Sequence, residues 1–240
     1  MTVVPYSINY REVWDEFVKT SKNGTFLIQR GFMDYHANRF LDCSVLILDG
    51  SGIMDEERSA LQDVASVKAV CPANWGEGEH WVYSHQGPAY GGLIVREDVT
   101  QKEMLQMMQL IFLYYENYLR AVRIVYKPIP YIYSAYPSGE DLYALFRAGG
   151  QLSRRLVSTV VDQRHPLRIR TLRLRQSRKA VDHGFYIDRM IEGEWDTLAE
   201  YWALLEHVLK TYHNSKPVHT LEEMQLLMGR FPKEFRPLTA

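Results

Sequence analysis

The sequence predicts an α+β protein: a mixed, mostly antiparallel sheet flanked by helices, followed by a partial second unit of the same kind. Three observations lead there. Apolar runs of strand length alternate with segments whose apolar residues recur every three or four positions. These fall in the order β-α-α-β-β-β-α-β-α-β, after which a basic stretch leads into β-α-α. Apolar residues make up 46% of the 240 and charged residues 24%, an ordinary balance for a folded globular chain that excludes long disorder.

In order, Val3–Ile8 is a strand, and Val13, Trp14, Phe17 and Val18 form the buried stripe of a helix over Tyr10–Ser21. Asn23-Gly24 ends that helix, because glycine readily takes the left-handed conformation of a helix C-terminus. A second helix covers Arg30–Asn38. Cys43–Leu48 and Lys68–Asn74 are apolar strands joined by a polar, acidic connection, and Trp81–Ser84 and Leu93–Val95 flank the string HQGPAYGG. Thr100 and Glu103 make a capping box for a helix over Thr100–Arg120, striped by Met104, Leu105, Met108, Ile111, Phe112 and Tyr115. Ala121–Tyr126 is a strand ended by Lys127-Pro128, since proline supplies no ladder donor. Ser138 opens a short helix to Arg147, and Leu152–Val161 alternates as a strand. Leu167, Leu174 and Val181 are spaced for a helix with one buried face. Phe185–Met190 is a strand, and helices over Trp195–Tyr212 and Leu221–Gly229 follow. The expected organisation is a first domain over 1–163, a basic linker helix over 164–184 and a partial second domain over 185–240.

The charge is unevenly placed. Between Arg154 and Lys179 lie nine basic residues and one acidic residue, in a chain with 28 Lys and Arg against 29 Asp and Glu. A strip of charge +8 therefore crosses a body of charge −9. Arg170, Arg173 and Arg175 are its candidate polyanion contacts, since backbone phosphates dominate such binding. Aromatic residues are absent from 164–184, so base stacking has no support there. The simpler account is a solvated basic helix between two domains. Cys43 and Cys71 are too few for a disulfide framework or a zinc site and read as buried thiols, with no metal expected. No basic region followed by an apolar run opens the chain, and no stretch approaches the ~18 apolar residues of a membrane span. A cytoplasmic protein with no membrane contact is expected.

Long strings narrow the fold class. SKNGTFLIQRGFMDYH (Ser21–His36), CPANW (Cys71–Trp75), YSHQGPAYGGLIV (Tyr83–Val95), YKPIPYIYSAYPSGEDLYALFR (Tyr126–Arg147) and KPVHTLEEMQLLMGRFP (Lys216–Pro232) resemble a bacterial family of GNAT-like or Fem-like acyltransferases. The resemblance implies the acyl-CoA N-acyltransferase fold in two tandem halves, the second incomplete here because the chain stops at FRPLTA. It implies transfer of an acyl group from acetyl-CoA or another acyl-CoA, as co-substrate, to an amine of a small molecule or peptide. The alternatives are Fem-type transfer from aminoacyl-tRNA, or an incomplete member that acts as a binding module. In that last case an exposed sheet edge near Leu238 is a place for self-association.

Two places depart from the resemblance. The Asp49–Lys68 connection is longer than a tight hairpin. REDVTQKEM (Arg96–Met104) stands where such enzymes carry a glycine-rich diphosphate loop, yet it has no glycine and acids before its helix.

Acyl transfer to an amine needs a base for the amine proton and an acid for the leaving thiolate. His85 and Tyr90 are the candidates for these roles, with Gly91 and Gly92 allowing close approach of a ligand. The plainer account gives those glycines to a strand bulge and makes His85 a loop histidine bonded to backbone. Lys127, Tyr131 and Tyr133 follow a strand end, where side chains often face a cleft, and Lys127 suits a carboxylate or phosphate. Alternatively they belong to an ordered aromatic loop. His36, Lys216 and His219 read as structural.

Overall fold

The structure, a computed structural model, describes residues 1–50, 64–76, 78, 80–185, 188–189, 195–235 and 238–239. The chain is an α+β protein that divides into two units, Met1–Gln151 and Leu152–Ala240.

The N-terminal unit is built on three long chain segments, each bent once. β2 (Leu41–Asp42) continues into β3 (Val45–Leu48), β4 (Val67–Cys71) into β5 (Asn74–Gly76), and β6 (Trp81–Tyr83) is followed by β7 (Ile94–Val95). One four-stranded sheet runs β1 (Thr2–Pro5), β3, β4, β7, all antiparallel. The other runs β2, β5, β6, β8 (Arg123–Val125), antiparallel except for the parallel pair β6–β8 among the described residues. A parallel neighbour needs a crossover, which α3 (Gln101–Leu119) supplies between β7 and β8. At the first two bends the Ser44 hydroxyl replaces a ladder group, accepting the Ala73 N–H at 3.0 Å.

The run Val45–Leu48 is buried at every position because both faces of its sheet are covered. Leu46 and Leu48 meet α1 (Arg11–Thr20) through Val13, Trp14, Phe17 and Val18. Val45 and Ile47 face the other way, onto Met104, Met107, Met108, Ile111 and Tyr115 of α3. Each such residue contributes about 1.5–3 kcal/mol on leaving water. Thr100 and Glu103 form the expected capping box, and Arg120 ends α3 in the left-handed conformation, at φ 56°. The second predicted helix is shorter: α2 spans Arg30–Met33 and passes into tight 3-10 turns over Asp34–Arg39, broken at His36. The short helix α4 (Glu140–Arg147) starts from Gly139, not Ser138, whose hydroxyl instead donates to Glu140.

In the second unit, α6 (Trp195–His213) and α7 (Leu221–Arg230) pack through Leu198 and Met228, with Leu221 and Phe235 against them. Thr220 and Glu223 cap α7 reciprocally. The two-residue strands β9 (Asp188–Arg189) and β10 (Leu238–Thr239) pair antiparallel, Leu238 opposite Arg189. Two expectations fail here. Leu152–Val161 forms no strand, and Val157 is 96% exposed: β-branched residues favour a strand only where a ladder partner exists, and none is supplied. α5 (Thr171–Asp182) buries no residue, and Leu167 lies before its first turn, so the expected buried face is missing. Of the Asp49–Lys68 connection, residues 51–63 lie outside the described residues, as do 186–187 and 190 of the strand expected over Phe185–Met190. Among the described residues no helix is long and apolar enough to cross a membrane.

Candidate functional site

Residues 84–93, inside the string Tyr83–Val95, interrupt the strand between β6 and β7, and three of the other four strings singled out in the sequence converge on them. Ser84 Oγ accepts the Lys127 N–H at 2.7 Å, and the Gly91 N–H donates to the Lys127 carbonyl at 3.0 Å. Asn74 and Gln86 bond twice, through the Gln86 N–H to Asn74 Oδ1 and through Asn74 Nδ2 to Gln86 Oε1. Asn23 Nδ2 donates to the Leu93 carbonyl and Asn23 Oδ1 accepts the Val95 N–H, both at 2.9 Å. A buried amide side chain thus does the work of a neighbouring strand. The Tyr126 hydroxyl accepts the Leu93 N–H and donates to Asp141. This tyrosine, the residue after β8, ties the chain just before β7 to α4.

The glycines of the bulge have a packing reason. A Cβ on Gly91 would overlap the Ser84 carbonyl oxygen, and one on Gly87 would overlap the His36 ring. Gly92, at φ +83°, lies against the Tyr126 ring. The close approach anticipated for a ligand at Gly91 and Gly92 is made here by the protein itself.

His85 is 4% exposed and takes φ +68°, a left-handed backbone for a non-glycine residue. Its Nδ1 accepts the Gly87 N–H at 3.2 Å, which places the ring proton on Nε2. The ring lies against His36 (centroids 5.5 Å) and Phe40 (5.4 Å). Burial, reinforced by His36, pushes its pKa down to about 3, against the pull of Asp42. At neutral pH it is an uncharged hydrogen-bond donor. With Nδ1 engaged and Nε2 protonated, it is placed to polarise an oxygen and not to accept an amine's proton.

His85 lines an open groove of about 330 Å³ with Arg30, Asp34, Arg39, Phe40 and Asp42. Arg30 is its fixed charge. The guanidinium stacks on Tyr6 (3.3 Å to the ring centroid) and Trp14 (4.3 Å) and donates from Nη1 to Asp42 at 2.5 Å. Asp34 lies 3.6 Å away. Arg30, Asp34 and Asp42 were not legible in the sequence as site residues, because partners drawn from the residue after β1, from α1, from the turn after α2 and from β2 leave no local spacing signal.

The other predicted residues go to different neighbours. Tyr90 donates to Thr25 Oγ1 at 3.0 Å and packs on Tyr133 (5.3 Å), so its hydroxyl is engaged away from His85. Burial raises the pKa of its hydroxyl. Lys127 Nζ donates to the Pro88 carbonyl at 2.7 Å, and burial alone lowers its pKa. Tyr131, 73% exposed, stands in the 3-10 turn after β8. Arg170, Arg173 and Arg175 are exposed and make no ion pair among the described residues. His36 is buried, stacked on Tyr35 at 4.2 Å. Cys43 and Cys71 are free, and burial raises both thiol pKa values, that of Cys71 to about 12. Among the described residues no group of three His, Cys, Asp or Glu could hold a metal ion.

The start of α3 does not fit a diphosphate. The Glu103 carboxylate takes the Thr100 N–H at 2.9 Å and the Lys68 ammonium at 2.9 Å, while Arg96 grips Asp98 at 2.7 Å. These bonds, the Thr100 N–H first for Glu103 and Arg96 first for Asp98, hold both carboxyls down to about 2. The helix end a phosphate would use is filled by the chain's own anions. Compared with protein-family models, with curated proteins and with solved structures, the chain matches none.

The neutral histidine carries a pH signature. Folded His85 stays unprotonated down to about pH 3, whereas an unfolded histidine takes its proton near 6.5. Between those values the unfolded state binds the extra proton. Stability should therefore fall as pH drops from 6.5 toward 3, by up to about 1.4 kcal/mol per pH unit. Urea unfolding across this range should show the slope in the wild type and a flatter one in His85→Gln. Equal slopes would remove His85 from the account.

Proposed function

We propose that the N-terminal unit is a GNAT-like acyl-transfer domain that moves an acyl group from an activated thioester, acyl-CoA in the first instance, to an amine. The observation that carries this reading is the parallel β6–β8 pair joined through α3, with the strand broken at 84–93 and His85 at a groove beside the break. In such a site the amine nitrogen attacks the carbonyl carbon, the C–S bond breaks, and the thiolate leaves and takes up the amine proton. The Nε2–H of His85 donates to the carbonyl oxygen as it gains negative charge, a contribution of the oxyanion-hole kind. Holding the two reactants together in the groove supplies the rest. Lys127, Tyr131 and Tyr133 flank the same loop system as candidate substrate contacts.

With the N-terminus of α3 occupied, recognition in this reading rests on the acyl-pantetheine end of the donor and not on its diphosphate. Calorimetric titration should give heat with acetyl-CoA, and acetyl-pantetheine should bind within roughly tenfold of it. Absence of heat and of thermal protection with both would overturn the reading. Binding of aminoacyl-tRNA in their place would replace the donor by the Fem-type one.

A further inference from the structure

The groove beside His85 is lined by charges of both signs in equal number, Arg30 and Arg39 against Asp34 and Asp42. Arg30 is 1% exposed and is held by the Tyr6 and Trp14 rings. Its Nη1 donates to Asp42 and lies 3.6 Å from Asp34. Its Nε and Nη2 are buried and have no hydrogen-bond partner among the described residues. Buried donors are ordinarily bonded, because a donor that leaves water without finding an acceptor destabilises the fold. The planar fork of a guanidinium matches a carboxylate. Asp34 is partly buried, and burial raises its pKa against the pull of Arg30. A second cation beside it would favour its charged form. Phe40 and Leu41, the latter 61% exposed, add an apolar wall. At about 330 Å³ the groove stands at the small end of ligand sites.

We infer that this groove binds a free α-amino acid with an apolar side chain, its carboxylate on Arg30, its ammonium on Asp34 and its side chain along Phe40 and Leu41. In the acyl-transfer reading, on which its role rests but not its binding, the amino acid is the acceptor, and its amine shares the groove with His85. A ligand with one charge alone leaves the opposite group of the wall without a partner. A phosphate-rich ligand would meet Asp34 and Asp42 as like charges. A peptide N-terminus brings the amine but no carboxylate beside it. The free amino acid uses both signs.

Calorimetric titration of the full chain with L-leucine, 4-methylpentanoate and L-leucinamide tests it. The second lacks the amine, and the third has its carboxylate blocked, as at a peptide N-terminus. L-Leucine should bind with a dissociation constant of about 1 mM or below, and each analogue roughly tenfold or more weakly. Asp34→Asn should weaken L-leucine roughly tenfold and should not weaken 4-methylpentanoate. Arg30→Met should weaken both. Because Arg30 is packed among rings, thermal unfolding of that variant is recorded alongside, and where it does not fold the Asp34→Asn comparison decides alone. Acetyl-CoA is titrated separately. Binding of L-leucine but not acetyl-CoA would keep the amino-acid site and overturn the acyl-CoA donor, and binding of acetyl-CoA but not L-leucine would do the reverse. Absence of heat and of thermal protection with L-leucine up to about 20 mM, an analogue that binds as tightly as L-leucine, or an Asp34→Asn protein that binds it as the wild type does would each overturn the inference.

Discussion

Glu140→Ala should destabilise the N-terminal unit by about 3–5 kcal/mol, far beyond the effect of a surface ion pair. Its partner Lys22 has a side chain only 2% exposed, and Nζ meets Glu140 Oε1 at 2.6 Å. Removing the carboxylate leaves a buried ammonium over the Tyr136 ring, 5.2 Å from its centroid. Ser138 and the Gly139 N–H, which donate to Glu140 Oε2, lose their acceptor as well. Burial pushes the Glu140 carboxyl up, but the bonds from Lys22 and Ser138 outweigh it and hold the pKa down to about 2. The pair's contribution is thus fully present above the ordinary glutamate value and is lost as pH falls through about 2. Replacing both partners, as in Lys22→Met with Glu140→Leu, should restore most of the loss, since no charge is then stranded. Urea unfolding followed by tryptophan fluorescence measures both variants. A single-variant cost below about 1 kcal/mol would mean that the ammonium finds water.

Gly91→Ala should cost about 3 kcal/mol or more. The atom its Cβ would strike is the Ser84 carbonyl oxygen, a backbone group that cannot swing aside. To make room, the bulge would have to give up the Gly91–Lys127 bond, and the Ser84–Lys127 bond with it. Gly229→Ala is the control. Its Cβ meets nothing within 4 Å on α7, so the change should fall within about 1 kcal/mol on the stabilising side. Thermal unfolding of the two variants separates the cases. A Gly91→Ala protein as stable as wild type would show that the bulge is looser than its bonds imply.

Local signals were legible wherever one segment settles its own structure. The Val45–Leu48 run, the stripe of α1 and the Thr-x-x-Glu box of α3 formed as read, while the equivalent box at Thr220 and Glu223 of α7 was missed although its signal is just as local. Leu152–Val161 was misread because strand propensity needs an edge to pair with, which is information held elsewhere in the chain. The site divides along the same line. His85 stood out beside its glycines, and its bond to the Gly87 N–H is a local loop feature. Its groove was not legible, since Arg30 is held by Tyr6, Trp14 and Asp42 from three separate segments of the chain. The polar ties explain why those particular strings stood out. Lys22, Asn23, Asn74, Ser84 and Asp141 lock distant segments together, so the strings carry architecture at least as much as chemistry.

The central claim is that His85 is a neutral donor whose Nε2–H meets the acyl carbonyl. Nitrogen-15 NMR of the His85 imidazole, recorded from pH 7 toward pH 4 with and without acetyl-CoA, tests it most directly. The account predicts a ring that keeps its Nε2 proton throughout, in keeping with a pKa pushed down to about 3, and an Nε2 resonance that shifts when acetyl-CoA is added. A ring that gains a second proton near pH 6.5, with a resonance indifferent to acetyl-CoA, would contradict it.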